Sequence, residues 1–308
     1  MERLTSKTGV PAHLHGSVMA LGNFDGFHLG HQAVVAQAVD TARLMGRPAI
    51  VATFDPHPVR LFHPNAPWFR LTTLDQRERL FAQAGADAMF VLAFDQALAS
   101  KSAEEFVDLL VDEWGVAGVV TGEDFTFGRG RAGNVDMLRR LCAARGVEAE
   151  IVPPVAADGE IISSSRIREA LLAGDCATAT RLLSRPFAIE GVVIDGDKRG
   201  RTIGFPTANM ALGHYLRPRY GIYAVEVRLP DGRIAGGAAN LGIRPSFDPP
   251  RELLETFILD FEGDLYGQTI EVALIEWLRG EAVFDRLSAL VAQMDADVAQ
   301  ARAVLGKL

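Results

Sequence analysis

A glycine-rich segment, Gly22–His31, joins an apolar run to a run of helix-forming residues, and this junction restricts the fold more than any other part of the chain. The apolar run Ser17–Leu21 predicts a buried strand, and Gln32–Met45, rich in Ala, Val and Gln, predicts a helix. A strand followed by a tight turn and a helix is typical of α/β folds with parallel sheets. The start of such a helix offers free backbone N–H groups and a positive dipole end, so it can bind an anion.

Three glycines and two histidines in this segment suit a nucleotide triphosphate. Gly22, Gly26 and Gly30 would let the backbone turn tightly and approach a ligand closely. His28 and His31 are three residues apart, so the first turn of a helix would place them on one face. The alternative is a glycine-rich surface turn with two solvated histidines, but the combination of residues favours phosphate binding.

The first half of the chain alternates predicted strands with predicted helices. The strands are Val18–Gly22, Ala49–Phe54, Ala88–Ala93, Gly118–Thr121 and Glu148–Pro153. The helices are Gln32–Met45, Leu74–Ala84, Ala103–Trp114, Val135–Arg145 and Ser164–Ala173. This order predicts a Rossmann-like parallel sheet with helices on both faces, and ligands bind such sheets at the carboxyl ends of the strands. Three polar segments, 22–31, 55–58 and 122–125, follow strands and would converge at that edge.

The pattern changes near Ser184–Pro186, where short β-rich runs replace the alternation. These runs are Ala188–Ile194, Ile222–Leu229, Ile234–Leu241, Leu253–Phe261 and Thr269–Trp277. The dipeptide Asp231-Gly232 predicts a hairpin turn between two of them. A terminal helix is expected at about Phe284–Val304, with core-packing residues at helical spacing: Leu287, Leu290, Val291 and Met294. The second half therefore predicts a small antiparallel β-barrel with a terminal helix.

Composition limits the classes of function. The chain has 308 residues, enough for about two domains, and a net charge of −8 without a block of Lys and Arg. A nucleic-acid partner is therefore not expected, and an acidic protein that binds ATP would need local cations and Mg²⁺. The two cysteines, Cys142 and Cys176, lack the spacing of a zinc site or a disulfide framework. With no signal peptide and no run of about 18 apolar residues, we expect a cytoplasmic protein without a membrane partner.

The Gly22–His31 segment resembles the Gly-x-Phe-Asp-Gly-x-His-x-Gly-His motif of the nucleotidyltransferase superfamily, in its flavin adenylyltransferase branch. In that family the motif binds the nucleotide, and catalysis consists of positioning the triphosphate and neutralising its growing charge. The resemblance implies nucleotide contacts by these residues: Gly22, Phe24, Asp25, Gly26, His28, Gly30 and His31.

Three later segments carry the same resemblance. Ser163, Ser164 and Arg168 lie in a stretch similar to the family's Ile-Ser-Ser-Thr-x-x-Arg motif, which binds ATP phosphates. Serines could simply cap the following helix, but a cation in the first helical turn opposes the dipole and indicates a bound anion. Asp124 lies in a run similar to Gly-x-Asp-Phe-x-Phe-Gly, against which relatives place flavin or nucleotide. His57 lies in a run similar to Phe-Glu-Pro-His-Pro, where a structural role is nearly as well supported as a ligand contact.

A second motif, Gly200–Asn209, lies near the start of the β-rich half. Its glycines could surround a phosphate with backbone amides. Thr207 and Asn209 are two apart, so in a strand their oxygens face one side and suit Mg²⁺, although Thr-Ala-Asn alone is typical of a turn or cap. The segment resembles the Gly-Arg-x-x-Gly-Phe-Pro-Thr-Ala-Asn motif of riboflavin kinases. That resemblance implies metal ligation by Thr207 and Asn209, and nucleotide or flavin contacts by other residues: Gly196, Gly200, Arg201, Gly204, Phe205, Pro206 and Asn240.

Glu255 lies within the predicted strand Leu253–Phe261. Alternation places it on a face that is otherwise apolar, and a carboxylate there would lose water and become a stronger base. The alternative is a glutamate near a strand end that reaches water or pairs with an arginine. The riboflavin kinase resemblance implies that Glu255 is the general base.

Both halves are similar, in order and over nearly the whole chain, to the bifunctional riboflavin kinase/FAD synthetase family of bacteria. The resemblance implies two domains, 1–183 for FMN adenylyltransferase and 184–308 for riboflavin kinase. It also implies ATP as co-substrate, Mg²⁺, and the small molecules riboflavin and FMN. Two alternatives remain open: a monofunctional kinase whose first half only binds nucleotide, and a flavin-binding carrier or regulator without turnover.

Overall fold

The structure, a computed structural model, describes residues 1–195, 204–244 and 251–306. The chain forms two compact units. The first contains Met1–Pro67 and Leu74–Ser163, and the second contains Trp68–Thr73 and Ser164–Leu308. A short segment of the first half of the sequence therefore belongs to the second unit.

The first unit is built on a six-stranded parallel sheet. In spatial order its strands are β1 (Glu2–Thr5), β4 (Ala88–Ala93), β3 (Ala49–Asp55), β2 (Val18–Leu21), β5 (Gly118–Gly122) and β6 (Glu148–Val152). The chain runs from β2 through β3 to β4 on one side of β2, and through β5 to β6 on the other. The order of the strands thus reverses next to β2, which creates a crevice at the carboxyl ends of β2 and β5.

Helices cover both faces of this sheet, as the alternation predicts. They are α1 (Leu29–Met45), α2 (Pro58–Phe62), α3 (Leu74–Gln83), α4 (Gln96–Ser100), α5 (Ala103–Asp108) and α6 (Val135–Ala143), with a small hairpin of β7 (Ala156–Ala157) and β8 (Glu160–Ile161). Met19 and Leu21 of β2 pack into the core on one face, and Val18 and Ala20 pack into the core on the other.

Two predicted helix boundaries in this unit differ from the structure by three residues or more. Helix α1 begins at Leu29 instead of Gln32, because the side chain of His28 caps it. The predicted helix Ala103–Trp114 changes at Leu109 into a π-helical turn, Leu109–Glu113. The sequence prediction also omits β1, a short strand at one edge of the sheet.

The second unit begins with two helices and continues as an antiparallel sheet. Its elements are α7 (Ser164–Ala173), α8 (Cys176–Leu183), β9 (Phe187–Val192), β10 (Thr207–Ala211), β11 (Gly221–Arg228), β12 (Ile234–Arg244), β13 (Arg251–Ile258), β14 (Thr269–Arg279) and α9 (Leu287–Leu305). The strand order is β10-β13-β12-β11-β14-β9. The N–H of Ile194 donates to the carbonyl of Asn209 at 2.8 Å, so the sheet curls until its two edges meet. The predicted barrel is confirmed, and so is its hairpin at Asp231-Gly232.

The segment Trp68–Thr73 adds to this second unit through backbone bonds. The N–H of Arg70 donates to the carbonyl of His214 at 3.3 Å, and the N–H of Leu216 donates to the carbonyl of Arg70 at 2.8 Å. The ring of Trp68 stacks on His214 with a centroid distance of 4.0 Å. The sequence pattern contains no signal for this contact because the segments are far apart along the chain.

The terminal helix α9 packs differently from the prediction. Of its expected core stripe, Leu287 is 62% exposed, and the other three residues are only half-buried: Leu290, Val291 and Met294. The buried residues of α9 are instead Asp297 and Ala301. The helix packs on the sheet through Ala301, which contacts the cluster of Ala224 and Ala238, and Asp297 pairs with Arg279 of β14. Hydrophobic spacing cannot reveal the ion pair. None of the helices in the described parts of the chain combines the length and the apolar character that crossing a membrane requires.

Removing one partner of the ion pair between β14 and α9 should cost more stability than removing one partner of an exposed pair. Arg279 Nε and Nη2 donate to Asp297 at 2.7 and 2.5 Å, and the Asp297 side chain is only 7% exposed. Asp297→Ala would leave a partly buried guanidinium without this partner. We expect the free energy of unfolding of the second unit to fall by about 3 kcal/mol, measured by urea denaturation with circular dichroism.

Asp260→Asn is the matched control for that experiment, because asparagine removes the charge and tolerates the φ of +53° at this position. Arg302 of α9 donates to Asp260 at 2.8 and 2.6 Å, but this carboxylate is 75% exposed. Exposed pairs contribute little to stability because water already solvates both charges. We expect no measurable change in this variant, and equal losses in the two variants would contradict the importance of burial.

Candidate active sites

The Gly22–His31 loop lies at the reversal point of the parallel sheet. It follows β2, whose neighbours are β3 and β5. Strand β5 ends at Gly122 at the same edge of the sheet, and the chain continues to Asp124. A Cβ placed on Gly122 would lie 4.0 Å from Val34, so the end of β5 lies beside α1. The first turns of α1, the loop and the end of β5 therefore surround one crevice, which is where open α/β sheets bind ligands.

His28 and His31 form a stacked pair at the start of α1. Their ring centroids are 3.6 Å apart with an interplanar angle of 19°. His28 precedes the helix, and its Nδ1 accepts a hydrogen bond from the backbone N–H of His31 at 3.3 Å. With Nδ1 acting as an acceptor, the neutral ring of His28 carries its proton on Nε2 and can donate from that atom.

Two glycines of the loop are required for different reasons. Gly26 has a φ of +88°, a left-handed conformation that side chains with a Cβ rarely adopt. Gly30 has ordinary geometry, but a Cβ at this position would lie 3.1 Å from Cε1 of His28. The first glycine therefore allows the turn, and the second makes room for the stacked imidazole rings.

Helix α3 supports the loop through residues that the sequence reasoning missed. Phe81 is fully buried, and its ring packs edge-on against Phe24 at 5.8 Å and Phe27 at 5.0 Å. Arg77, one helical turn earlier, is 1% exposed and reaches Asn23 and Asp25. Their i, i+4 spacing places both on one face of α3, but a Phe and an Arg at that spacing do not by themselves indicate a loop partner.

Phe24 and Asp25 contribute to the loop from its buried side. Phe24 is 1% exposed, and its ring meets the edge of His31 at 5.3 Å. The Asp25 side chain is 3% exposed and forms an ion pair with Arg77. Their side chains thus hold the loop and the histidine in place.

His57, Asp124 and Ser163 take three different positions in the first unit. His57 is half-buried, and its Nδ1 accepts the N–H of Val59 at 3.3 Å, so it caps α2. The exposed Asp124 folds back toward Gly122 at the end of β5. Ser163 follows Ile162, whose carbonyl lies 3.8 Å from a Cβ placed on Gly30, so the chain passes beside the start of α1.

Ser164 and Arg168 belong to α7, which is part of the second unit. Arg168 Nε donates to the carbonyl of Phe69 at 2.9 Å, and its guanidinium lies 5.1 Å from the centre of the Phe69 ring. This arginine is therefore held by the Trp68–Thr73 segment, a contact that the sequence did not predict.

The second unit places Glu255 between two asparagines on three neighbouring strands. Asn209 of β10 and Asn240 of β12 are both in register with Glu255 of β13. Residues directly opposite each other in a sheet project from the same face, with Cβ atoms about 4.5–5.5 Å apart. Thr207, two residues before Asn209, lies on that face as well. We call Asn209, Glu255 and Asn240 the polar row.

Two amide oxygens of the polar row are buried without a hydrogen-bond partner among the described residues: Oδ1 of Asn209 and Oδ1 of Asn240. Asn209 is 4% exposed, and its Nδ2 donates to the carbonyl of Thr207 at 3.4 Å. A buried amide oxygen with no donor is costly, and a bound cation or ligand N–H would satisfy it. Within the described ranges there is no cluster of three or more His, Cys, Asp or Glu that could hold a metal. The unsatisfied atoms of the polar row are neutral amide oxygens, and such oxygens suit Mg²⁺ that is also bound to phosphates.

The environment of Glu255 differs partly from the prediction. Strand β13 ends at Ile258, and Asp260 has a φ of +53°, so Leu259 and Phe261 lie beyond the strand. Leu254, on the opposite face, is fully buried, whereas Glu255 is half-buried. Sequence alternation identified the face of Glu255 correctly but extended the strand too far.

The remaining predicted residues of this site fall into two groups. Phe205 is buried and meets the ring of Phe257 edge-on at 5.1 Å, while Gly204 and Pro206 are exposed just before β10. The other three lie outside the described residues: Gly196, Gly200 and Arg201.

Comparisons with known proteins match both halves of the chain. Residues 10–166 match the family model for FAD synthetase, and residues 183–305 match the model for riboflavin kinase. A bifunctional riboflavin kinase/FMN adenylyltransferase of Pseudomonas fluorescens is 42% identical over 296 residues, covering 96% of this chain and 94% of that protein. A protein of Escherichia coli with the same name is 39% identical over 292 residues, covering 94% and 93%.

A solved structure extends the similarity to three dimensions. It is described as a macrolide-efflux protein from Streptococcus pneumoniae, and it is 33% identical to this chain with a TM-score of 0.86. The match covers 96% of this chain and 97% of that one.

Proposed function

The chain belongs to the bifunctional riboflavin kinase/FMN adenylyltransferase family, and from that premise we propose which of its residues perform the two reactions. The C-terminal activity phosphorylates riboflavin with ATP to give FMN. The N-terminal activity transfers AMP from a second ATP to FMN, giving FAD and pyrophosphate. The proposal on residues rests above all on the polar row, where the sheet aligns a carboxylate with two buried amide oxygens.

In the kinase reaction, Glu255 acts as the general base. It takes the proton from the ribityl 5′-hydroxyl, and that oxygen attacks the γ-phosphorus of ATP while ADP leaves. Its half-buried position supports this role, because the carboxylate of a general base must be shielded from bulk water and still be accessible to the substrate. The fixed sheet register keeps the carboxylate between Asn209 and Asn240, so it can be oriented before substrate binds.

Mg²⁺ fits the same face of the sheet. The hydroxyl of Thr207 and Oδ1 of Asn209 would hold the ion, which would neutralise charge on the ATP phosphates. The buried and unsatisfied Oδ1 of Asn209 supports this assignment. Asn240 offers a second such oxygen on the other side of Glu255, where it would accept a hydrogen bond from substrate.

In the adenylyl transfer reaction, the Gly22–His31 loop holds the triphosphate. A phosphate oxygen of FMN attacks the α-phosphorus of ATP and pyrophosphate leaves, so no covalent enzyme intermediate is needed. The N–H groups at the start of α1 and the Nε2–H of His28 would donate to phosphate oxygens as charge develops. The stacking of His31 on His28 supports a joint role. The similarity of their stretch to the family's phosphate-binding motif supports phosphate contacts by Ser163, Ser164 and Arg168.

We further propose a functional division of the chain at residue 184, into 1–183 and 184–308, and a cytoplasmic location. The two matched family regions lie within those two domains except for residue 183. The location is supported by the need for ATP and by two cysteines that remain thiols. Burial raises the pKa of Cys142 to about 11 and that of Cys176 to about 12, so neither is reactive.

Glu255→Gln should strongly reduce FMN formation while leaving FAD synthesis from supplied FMN intact. The amide keeps the size of the side chain but cannot take a proton, so we expect riboflavin phosphorylation to fall about a thousandfold. Incubation with riboflavin, ATP and Mg²⁺, followed by chromatographic separation of the flavins, measures both reactions. Glu252→Gln, on the same strand but outside the polar row, is the control and should retain both activities. Phosphorylation at the wild-type rate in Glu255→Gln would refute the base assignment.

His31→Ala should produce the opposite pattern. Removing the imidazole takes away a contact to the triphosphate, so we expect pyrophosphate release from FMN plus ATP to fall about a hundredfold or more. Riboflavin phosphorylation should not change. The control is His13→Ala, because His13 is exposed and pairs with Glu2 away from the loop. Unchanged FAD output in His31→Ala would rule out this role for the loop.

A further inference from the structure

Arg77 of α3 lies behind the Gly22–His31 loop as a fully enclosed charge. Its Nη1 donates to Oγ1 of Thr53 at 2.9 Å and to the carbonyl of Asn23 at 3.3 Å. Its Nη2 donates to Oδ1 of Asp25 at 3.4 Å. Thr53, at 0% exposure, also donates its hydroxyl to the carbonyl of Asn23 at 2.8 Å. Two donors therefore hold one loop carbonyl, and the same guanidinium holds the carboxylate two residues later.

Stability alone does not account for this arrangement. Burying a guanidinium and a carboxylate costs solvation free energy that their attraction only roughly offsets. The side chains of Arg77 and Asp25 are 1% and 3% exposed, so both carry this cost in full. A buried ion pair of this kind contributes more to selecting one conformation than to the free energy of folding.

The conformation that it selects is a strained one. Phe24 has a φ of +49° and Phe27 a φ of +45°, a left-handed region in which residues with a Cβ are uncommon. Such residues persist only where surrounding structure holds them. Arg77 holds Asn23 and Asp25, which lie on either side of Phe24. Phe81, on the same face of α3, packs against the rings of both residues with strained backbone.

The charge of Asp25 gives a second reason for the guanidinium. A free carboxylate in this loop would repel the phosphates of a nucleotide. Arg77 compensates that charge and keeps the carboxylate buried, so the positive end of α1 and the two imidazoles meet the anion. The loop can therefore contain the Asp25 carboxylate because Arg77 of α3 compensates its charge.

We propose that Arg77 is a positioning residue for adenylyl transfer. It acts through Thr53, Asn23 and Asp25 to keep the loop in its nucleotide-binding conformation before ATP arrives. This inference rests on the proposed function of the loop in FMN adenylylation. It assigns no contact between Arg77 and substrate.

Arg77→Met tests the proposal by separating KM from kcat. Without the guanidinium, only a fraction of molecules holds the loop in place, and the apparent affinity for ATP falls by that fraction. We expect the KM for ATP in FMN adenylylation to rise about tenfold, with kcat at saturating ATP changed by less than about threefold. Arg77→Lys keeps the charge and one donor, so it should recover most of the affinity. Riboflavin phosphorylation, measured on the same samples, should stay at the wild-type rate.

A purely structural role would give a different result. Partial unfolding lowers the concentration of active enzyme, which reduces kcat and leaves KM unchanged. An unchanged KM in a folded Arg77→Met protein, with folding verified by near-UV circular dichroism, would therefore overturn the proposal. A wild-type chain that forms no FAD from FMN and ATP would contradict the proposed function itself, and this inference with it.

Thr53→Val decides the question if Arg77→Met does not fold. Valine keeps the shape of threonine but removes the two hydrogen bonds that link β3 to Asn23 and Arg77. The matched control is Thr121→Val, because Thr121 is also 0% exposed and donates to a carbonyl at 2.9 Å, but to Leu21 of β2 and not to the loop. We expect a higher KM for ATP in Thr53→Val only. Equal changes in both variants would contradict a specific role for the Arg77 contacts.

Discussion

The first unit depends on one strand that is buried on both faces. Residues Val18–Leu21 of β2 are at most 1% exposed, and they alternate between two hydrophobic cores. A parallel strand in the centre of a sheet has neighbours on both sides and helices above and below, so its position cannot shift without disturbing every layer. The loop that follows β2 therefore starts from a rigid point, and the reversal of strand order opens a crevice beside it.

The rigid strand β2 does not by itself fix the conformation of the loop that follows it. Contacts from α3 hold the loop in place. The loop contains two phenylalanines in the left-handed region and an aspartate that is nearly inaccessible to water. Both features are unfavourable in isolation. Phe81 and Arg77 compensate for them from one helix face, through ring packing and hydrogen bonds. The imidazoles of His28 and His31 then stack at the start of α1, behind a loop that these contacts hold in place.

In the second unit, strand register and not a supporting helix positions the polar side chains. Its polar row is built by register across three antiparallel strands, in which each hydrogen-bonded ladder fixes the pairing of the next. A slip of one residue would move Glu255 to the fully buried face that Leu254 occupies. The arrangement of the polar row therefore follows from the register of the sheet, whereas the Gly22–His31 loop is held by contacts from α3.

The sequence by itself determined the alternation of the main strands and helices in the first half, the β-rich character of the second half and the motifs from which the sites are proposed. These are local properties, since hydrophobic period, glycine turns and short motifs are encoded within a few neighbouring residues. It did not predict the π-helical end of the helix that begins at Ala103, the exposure of Leu287 or the early end of β13 at Ile258, because tertiary contacts decide where elements stop and which face they bury. Only the tertiary structure brought Arg77 to Asn23, and Asn209 and Asn240 to Glu255. Those pairs are distant along the chain, and nothing but topology and strand register makes them neighbours.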